Sequence, residues 1–322
     1  MVRVGMLGSA HVHAPSYLRC VAESGRAVWS GVWDADPGRA EAASRTASAP
    51  VAGSIEELVA TCDAVVAAGT NVGHAEIVEA ALSAGRWVLC EKPLAATRDE
   101  LKRIESAVAR TPGKLMTAFP CPFSPVFRRL VETVQSGALG TVVSVSATNR
   151  GTCPGGWFVD PAQSGGGAVV DHTVHVADLL ARLLGGPPLS VSAVVGSNRL
   201  GLDVEDTAFV SLAYPGGAFA TIDASWSRPE GYRTWGDVTL AVSGTEGTAE
   251  ADLFGQGFQV FDGRARHRAT ASDLDRAMVG EFLSAVVEGR PPSVTAEDGL
   301  AASRVMLAAY ASVRSGQPEA PA

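Results

Sequence analysis

Three residues carry the chemistry this sequence has to offer: Lys92 within Glu91-Lys92-Pro93, and the pair Asp171 and His175. A lysine partly desolvated beside a ligand hydrogen-bonds a hydroxyl and can hold a lowered pKa suited to proton transfer. Pro93 fixes the backbone just after it, and a cis bond there would aim the ammonium. Histidine titrates near neutrality, which makes His175 the natural acid/base for a hydroxyl that loses or gains hydride. Asp171, four residues earlier, and Asp178, three later, share its helical face, so that carboxylate and imidazole converge on one ligand. Gly165-Gly166-Gly167 lets a backbone come close to a cofactor or substrate. Two other readings stay open on local sequence. A metal held by Asp171, His172 and His175 is disfavoured because neighbours on one helix face apart, and no metal site is expected. A buried Asp and His that merely satisfy each other is the second.

A proton-transfer site of this kind needs a hydride partner, and the N-terminus supplies a place for one. A short apolar strand runs into Gly8-Ser9-Ala10-His11-Val12-His13 and then a helix, the position of a G-x-G-x-x-G fingerprint of which only Gly8 remains. The first glycine makes the tight turn, Ala10 is small enough to let N–H groups near a pyrophosphate, and the helix N-terminus favours the anion. Asp34 lies 26 residues beyond Gly8, at a strand end where a carboxylate can accept from both ribose hydroxyls of an adenosine. An acid there repels a 2′-phosphate, so NAD is expected, while the nearby Arg39 keeps NADP open. Gly8, Ser9, Ala10, His11, Val12 and Asp34 are thus the expected cofactor contacts.

The elements that position these groups can be read from periodicity. Residues 2 to 119 alternate β-branched runs with amphipathic stretches, a pattern of parallel strands joined by helices. Lys92 follows the strand Trp87 to Cys90, at the edge where open α/β sheets bind ligands. Residues 120 to 322 carry alternating strands such as Val142 to Thr148, Val191 to Val195 and Ala208 to Ala213, with hairpin signals at Pro215-Gly216-Gly217 and at 244–247. These suit an α+β domain with a large open, mainly antiparallel sheet. Two helices, near Asp273 to Glu288 and Gly299 to Ser312, close the fold, the last able to pack back on the first domain; the tail 317–321 looks disordered.

Composition narrows the partners. With 46% hydrophobic and 19% charged residues over 322 positions, the chain is globular and large enough for two domains. No apolar run reaches membrane-spanning length, and the N-terminus reads as a strand rather than a signal peptide. Five cysteines, widely spaced and without a C-x-x-C pair, indicate neither disulfides nor zinc and fit a reducing cytoplasm. A net charge of −8 without a basic run argues against nucleic acid and anionic membranes and leaves a small molecule as partner.

Taken together, the Gly8 turn, Asp34, Thr70-Asn71 followed by His74, Glu91-Lys92-Pro93, and Gly-Gly-Gly with Asp171 and His175 resemble the glucose-fructose oxidoreductase, inositol dehydrogenase and rhizopine-catabolism (Gfo/Idh/MocA) family. The resemblance spans nearly the whole chain. It implies a Rossmann domain followed by a larger-sheet domain, with the cofactor between them and the nicotinamide near Lys92. It adds Thr70, Asn71, His74, Glu91 and Lys92 as cofactor contacts, and it implies that Lys92, Asp171 and His175 hold or deprotonate a sugar or polyol hydroxyl while hydride passes to NAD(P). Dimers or tetramers through the open sheet are implied as well. Ala10 stands where many members have glycine, and Cys121-Pro122-Phe123 where an arginine is frequent. His11, His13 and His172 are less usual and add possible substrate or cofactor contacts, while Arg150, Trp157, Tyr232 and Trp235 are expected around the pocket. A nucleotide-binding sensor without catalysis, and an eliminase or epimerase that recycles its cofactor, are the rival functions.

Overall fold

The structure, a computed structural model, describes residues 1–322 except 233, 256, 262–264 and 270–272, and describes only the backbone of 257–261 and 265–269. The first unit comprises β1 (Val2–Leu7), α1 (Ala14–Ala22), β2 (Ala27–Trp33), α2 (Pro37–Ala47), α3 (Ile55–Thr61), β3 (Ala64–Ala67), α4 (His74–Ser83), β4 (Trp87–Cys90), α5 (Arg98–Arg110) and β5 (Leu115–Thr117). Its strands form a parallel sheet in the order β2-β1-β3-β4-β5. The central β3 is buried at every residue, as expected of a strand covered by helices on both faces. Asp36, Ser54 and Thr97 cap α2, α3 and α5 by accepting the backbone N–H three residues on.

The second unit continues with α6 (Pro125–Gln135), β6 (Val142–Gly151), α7 (Pro161–Ser164), α8 (Ala168–Leu184), β7 (Ser190–Gly196), β8 (Thr207–Ala213), β9 (Phe219–Asp223), β10 (Gly236–Gly244), β11 (Thr248–Asp252), β12 (Gly257–Phe261), β13 (Ala265–Ala269), α9 (Leu274–Glu288) and α10 (Ala296–Ser315). Six of these strands make a sheet in the order β11-β10-β6-β9-β8-β7, antiparallel except for the β6/β9 pair. One face is covered by α8, which is buried from Ala168 to Leu180 because α10 packs on its other side. A helix enclosed all round needs apolar residues all round, so its polar members Asp171, His172, His175 and Asp178 must each find a partner or a cavity.

Two long-range ties lock the units together. Helix α10 reaches back to the first sheet, where Thr117 Oγ1 donates to Thr295 O at 3.1 Å and Ser303 Oγ accepts Ala95 N–H at 3.2 Å. The tail corrects the expectation of disorder: Val191 and Glu319 exchange both backbone hydrogen bonds, at 2.8 and 2.9 Å, extending the edge of β7. Satisfying an exposed strand edge orders a segment whose composition alone argues for mobility.

Candidate active site

Lys92 stands just beyond β4 in a cis Lys92–Pro93 peptide. Its Nζ donates to Asp171 Oδ1 at 2.6 Å and to the Asp171 carbonyl at 3.2 Å, and both side chains are buried. The other carboxylate oxygen, Oδ2, accepts the indole N–H of Trp226 at 3.0 Å and lies 3.2 Å from His172 Nε2. Burial alone would raise the Asp171 pKa, but the Lys92 ammonium and His172 hold it well below the usual carboxylate range, so the group is ionised. His175, one turn along α8, packs edge-on to Phe119 with ring centroids 5.7 Å apart. Desolvation, reinforced by the Lys92 charge, holds its imidazole well below the ordinary histidine range. At neutral pH the ring is uncharged and able to accept a proton.

Lys92, Asp171, His172 and His175 line a cavity of about 80 Å³ with Asn149 and Phe158, and Asn149 Nδ2 donates to His172 O at 3.1 Å. A second, wider cavity of about 490 Å³ shares Val12, His13, Trp235 and Phe254 with it and adds Leu274 and Asp275. The start of α8 is set by a carboxylate that local sequence does not point to. Glu205 Oε1 accepts the N–H groups of Gly167 and Val169 at 2.9 and 3.0 Å and the Tyr310 hydroxyl at 2.6 Å, serving as a remote cap.

The cofactor end is built from the first unit. Gly8 has φ +75°, and a Cβ there would stand 2.6 Å from Gly69 Cα, so two backbones meet where only glycine fits. Among the described residues no side chain caps the N-terminus of α1, so its dipole end favours an anion there, while Ala14 N–H donates to His11 O at 3.0 Å and Pro15 has no N–H to offer. A cavity of about 200 Å³ lies beside this turn between Asp34, Arg39, Thr70 and Ile77. Asp34 Oδ2 accepts from Ser9 N and Oγ at 2.8 and 3.0 Å, while Arg39 Nη2 and Nε donate to Oδ1 at 2.8 and 3.1 Å. Burial works against the Asp34 charge, yet Arg39 and the backbone donors leave its pKa lowered. A narrow glycine turn, an uncapped helix and a charged carboxylate at a strand end fit a dinucleotide.

Glu91 joins the two ends. Its buried carboxylate accepts from the Tyr17 hydroxyl and from Lys92 N–H at 3.0 Å, and its Oε1 lies 2.9 Å from His13 Nδ1 and 3.2 Å from His11 Nδ1. Burial pushes His11 down to about 3. His13 responds oppositely: burial lowers it, but Glu91 prevails and its pKa is raised.

Several expected site residues fall elsewhere. Arg150 corrects the sequence reading: strand alternation puts Asn149 on the cavity side of β6 and Arg150 on the other face, where it pairs with Asp237 at 3.0 Å. Asp178 does share a face with Asp171, but seven residues of helix carry it about 10 Å along the axis. There it pairs with Arg182 at 3.0 Å, and burial pushes its pKa up to about 6. Gly166 and Gly167 make room for Tyr310 and for the Glu205 carbonyl, so the close approach is to the protein's own elements. His74 Nδ1 lies 2.9 Å from Pro93 O, and Asn71 Nδ2 donates to Ser164 O at 2.9 Å; both brace the loops beside Lys92 from buried positions. Trp157 donates its indole N–H to Ala10 O at 2.9 Å and stacks on Phe158 at 3.9 Å, strapping the second unit over the phosphate turn. Tyr232 stacks under Arg228, 4.4 Å from its guanidinium carbon. Sequence reasoning missed Trp226, Asn149 and Phe119. Asn149 carried a signal in the strand pattern, whereas nothing local marks Trp226.

A parallel sheet with a glycine turn and strand-end acid, facing a Lys-Asp-His cluster at its carboxyl edge, defines a dinucleotide-binding oxidoreductase. Residues 2–119 match the oxidoreductase family with an NAD-binding Rossmann fold, and residues 127–250 match the GFO/IDH/MocA C-terminal domain. The chain belongs to the Gfo/Idh/MocA oxidoreductase family. It is 30% identical to inositol 2-dehydrogenase 2 of Paenarthrobacter aurescens (strain TC1), covering 98% of this chain and 96% of the relative. It is 31% identical to D-xylose 1-dehydrogenase (NADP(+)) 2 of Haloferax volcanii, covering 97% of each chain. Among solved structures, GenD2 from gentamicin A biosynthesis in complex with NAD superposes with a TM-score of 0.86 at 28% identity, over 99% of this chain and 96% of that one.

Proposed function

We propose that this oxidoreductase interconverts a secondary hydroxyl and a ketone on a sugar, a polyol or a sugar derivative, with NAD as the favoured cofactor. The observation that carries the reading is the buried Lys92–Asp171 pair beside an uncharged His175 around one cavity. When bound, the nicotinamide supplies the hydride acceptor or donor. Lys92 donates a hydrogen bond to the reacting oxygen and stabilises negative charge developing on it. Asp171, fixed through Oδ2 by Trp226, keeps the ammonium aimed and charged. His175 takes the hydroxyl proton during oxidation and returns it during reduction. Asn149, His172 and the aromatic rim of Phe254 and Trp235 suit a hydroxyl-rich ring with one apolar face. The inositol and xylose dehydrogenases among the relatives support this substrate class.

Asp34 supports NAD, and its pairing with Arg39 leaves the site tolerant of a 2′-phosphate. The division at 119/120 follows the change from parallel to mainly antiparallel sheet. Val194, Phe209 and Phe219 are exposed on the uncovered face of the second sheet, which suits a homo-dimer or tetramer through that face. Among the described residues no helix is long and apolar enough to cross a membrane, and the free cysteines suit the cytoplasm. The test is a screen of inositols, aldoses and aminosugars for NADH formation at several pH values, alongside an NAD+ titration. Turnover on at least one cyclic polyol or sugar is expected. Saturable NAD+ binding with no turnover on any of them would favour the sensor reading instead.

A further inference from the structure

We propose that His11, His13 and Glu91 form a binding site for one divalent cation of the zinc class, at the root of the dinucleotide turn. One nitrogen from each imidazole and a carboxylate oxygen of Glu91 all lie within 4.8 Å of one another. His13 Nδ1 and His11 Nδ1 stand 2.9 and 3.2 Å from Glu91 Oε1. Zinc takes nitrogen and oxygen ligands at about 2.0–2.2 Å, so the edges of its coordination tetrahedron are about 3.4 Å. Each imidazole nitrogen therefore needs to part from the carboxylate oxygen by about 0.5 Å or less to admit the ion. Two nitrogens and one carboxylate are also the donor set in which zinc keeps a fourth position open.

The surroundings support a built site. Glu91 is held by Tyr17 through Oε1 and by Lys92 N–H through Oε2, at 3.0 Å, which fixes the carboxylate as outer-shell bonds fix a ligand. His11 and Glu91 are almost wholly buried, while the His13 side chain is 32% exposed, so an ion has a way in from the mouth of the cavity. The hydrogen bonds of His11 do not close by themselves. Its Nδ1 receives His13 N–H at 3.3 Å while also facing the carboxylate, and its buried Nε2 has no partner among the described residues. If Nδ1 carries the proton, it cannot accept from His13; if it does not, two lone pairs face each other across 3.2 Å. A cation bound to the unprotonated Nδ1 lies between that lone pair and the carboxylate and removes their repulsion, with His13 N–H giving up its contact to Nδ1. The site joins residues 11 and 13 of the turn to residue 91 beside Lys92, so occupancy would tie the cofactor loop to the catalytic strand end.

The experiment uses the full chain without a histidine tag, stripped with a chelator and titrated with Zn2+ by calorimetry and with Co2+ by visible absorption. One Zn2+ per chain is expected, with ligand-field bands of a low-coordinate nitrogen and oxygen site for Co2+. His13→Ala and His11→Ala should each weaken Zn2+ by about 100-fold or more, and Tyr17→Phe by about tenfold. His172→Ala, which lies outside the cluster, should leave binding unchanged. X-ray absorption on the zinc-loaded wild type should report two imidazoles, a readout that needs no variant to fold. Absence of stoichiometric Zn2+ binding in the wild type, or equal binding in His13→Ala, would overturn the proposal. Neither result bears on turnover by Lys92, Asp171 and His175.

Discussion

The two ends of the cleft each depend on one carboxylate, and the two are held in different ways. Asp34 is paired with a half-exposed arginine, Arg39, and gains backbone donors from Ser9 and Asp36, all within one βαβ unit. Asp171 is paired with the buried Lys92 and gains Trp226 and His172, so that its partners come from both units of the chain. Arg39 keeps contact with water and can lose Asp34 at little cost, whereas the buried Lys92 ammonium cannot lose Asp171 so cheaply. The cofactor end should therefore be a tunable binding surface, and the catalytic end an interdependent cluster in which one loss disables the rest.

The largest effect is expected at Asp171. Its replacement by Ala leaves the Lys92 ammonium buried without a counter-charge, which costs about 3–5 kcal/mol of stability, and should lower kcat by about 10³-fold. Asp171→Asn should recover much of the stability measured in urea titrations and little of the turnover. Intact turnover in either variant would break the contrast between the two ends.

At the other end, Asp34→Ala should weaken NAD+ by about tenfold, or about 1.4 kcal/mol, with kcat nearly unchanged, and should narrow the preference over NADP+. Calorimetry with the two cofactors checks this. A loss of kcat comparable to that of Asp171→Ala would remove the distinction.

His175 gives a pH signature. Its folded pKa lies well below its unfolded value of 6.5, so its contribution to stability is full above pH 6.5 and declines as the pH falls toward the folded pKa. The stability difference between wild type and His175→Gln, read from urea titrations, should shift against the wild type as the pH is lowered from 7.5 to 5. The acid limb of kcat/KM should likewise lie below that of an ordinary histidine.

The smallest effect is expected at the strap between the ends. Trp157→Phe loses the hydrogen bond to Ala10 O and should weaken NAD+ by about threefold, within the usual worth of one neutral hydrogen bond.

The same contrast accounts for what could be read in the sequence. The cofactor end was legible because Gly8, Asp34 and Arg39 lie within one short βαβ segment, where spacing alone brings them together. Lys92, Asp171 and His175 were legible as types and helical spacing, but the groups that hold them were not. Trp226 reaches Asp171 from beyond β9, and Glu205 reaches α8 across 36 to 38 residues, contacts that only the tertiary fold creates. Strand alternation turns Arg150 away from the face of Asn149, and the rise of α8 carries Asp178 away from the cavity although it shares a face with Asp171.

The most direct test of the account compares Lys92→Ala with the wild type in two readouts, NAD+ affinity and turnover on the best substrate from the screen. Lys92→Ala should keep an NAD+ Kd within about threefold of wild type and lower kcat by about 10³-fold, since the reacting oxygen loses its donor and Asp171 its counter-charge. Wild-type turnover in Lys92→Ala would contradict it.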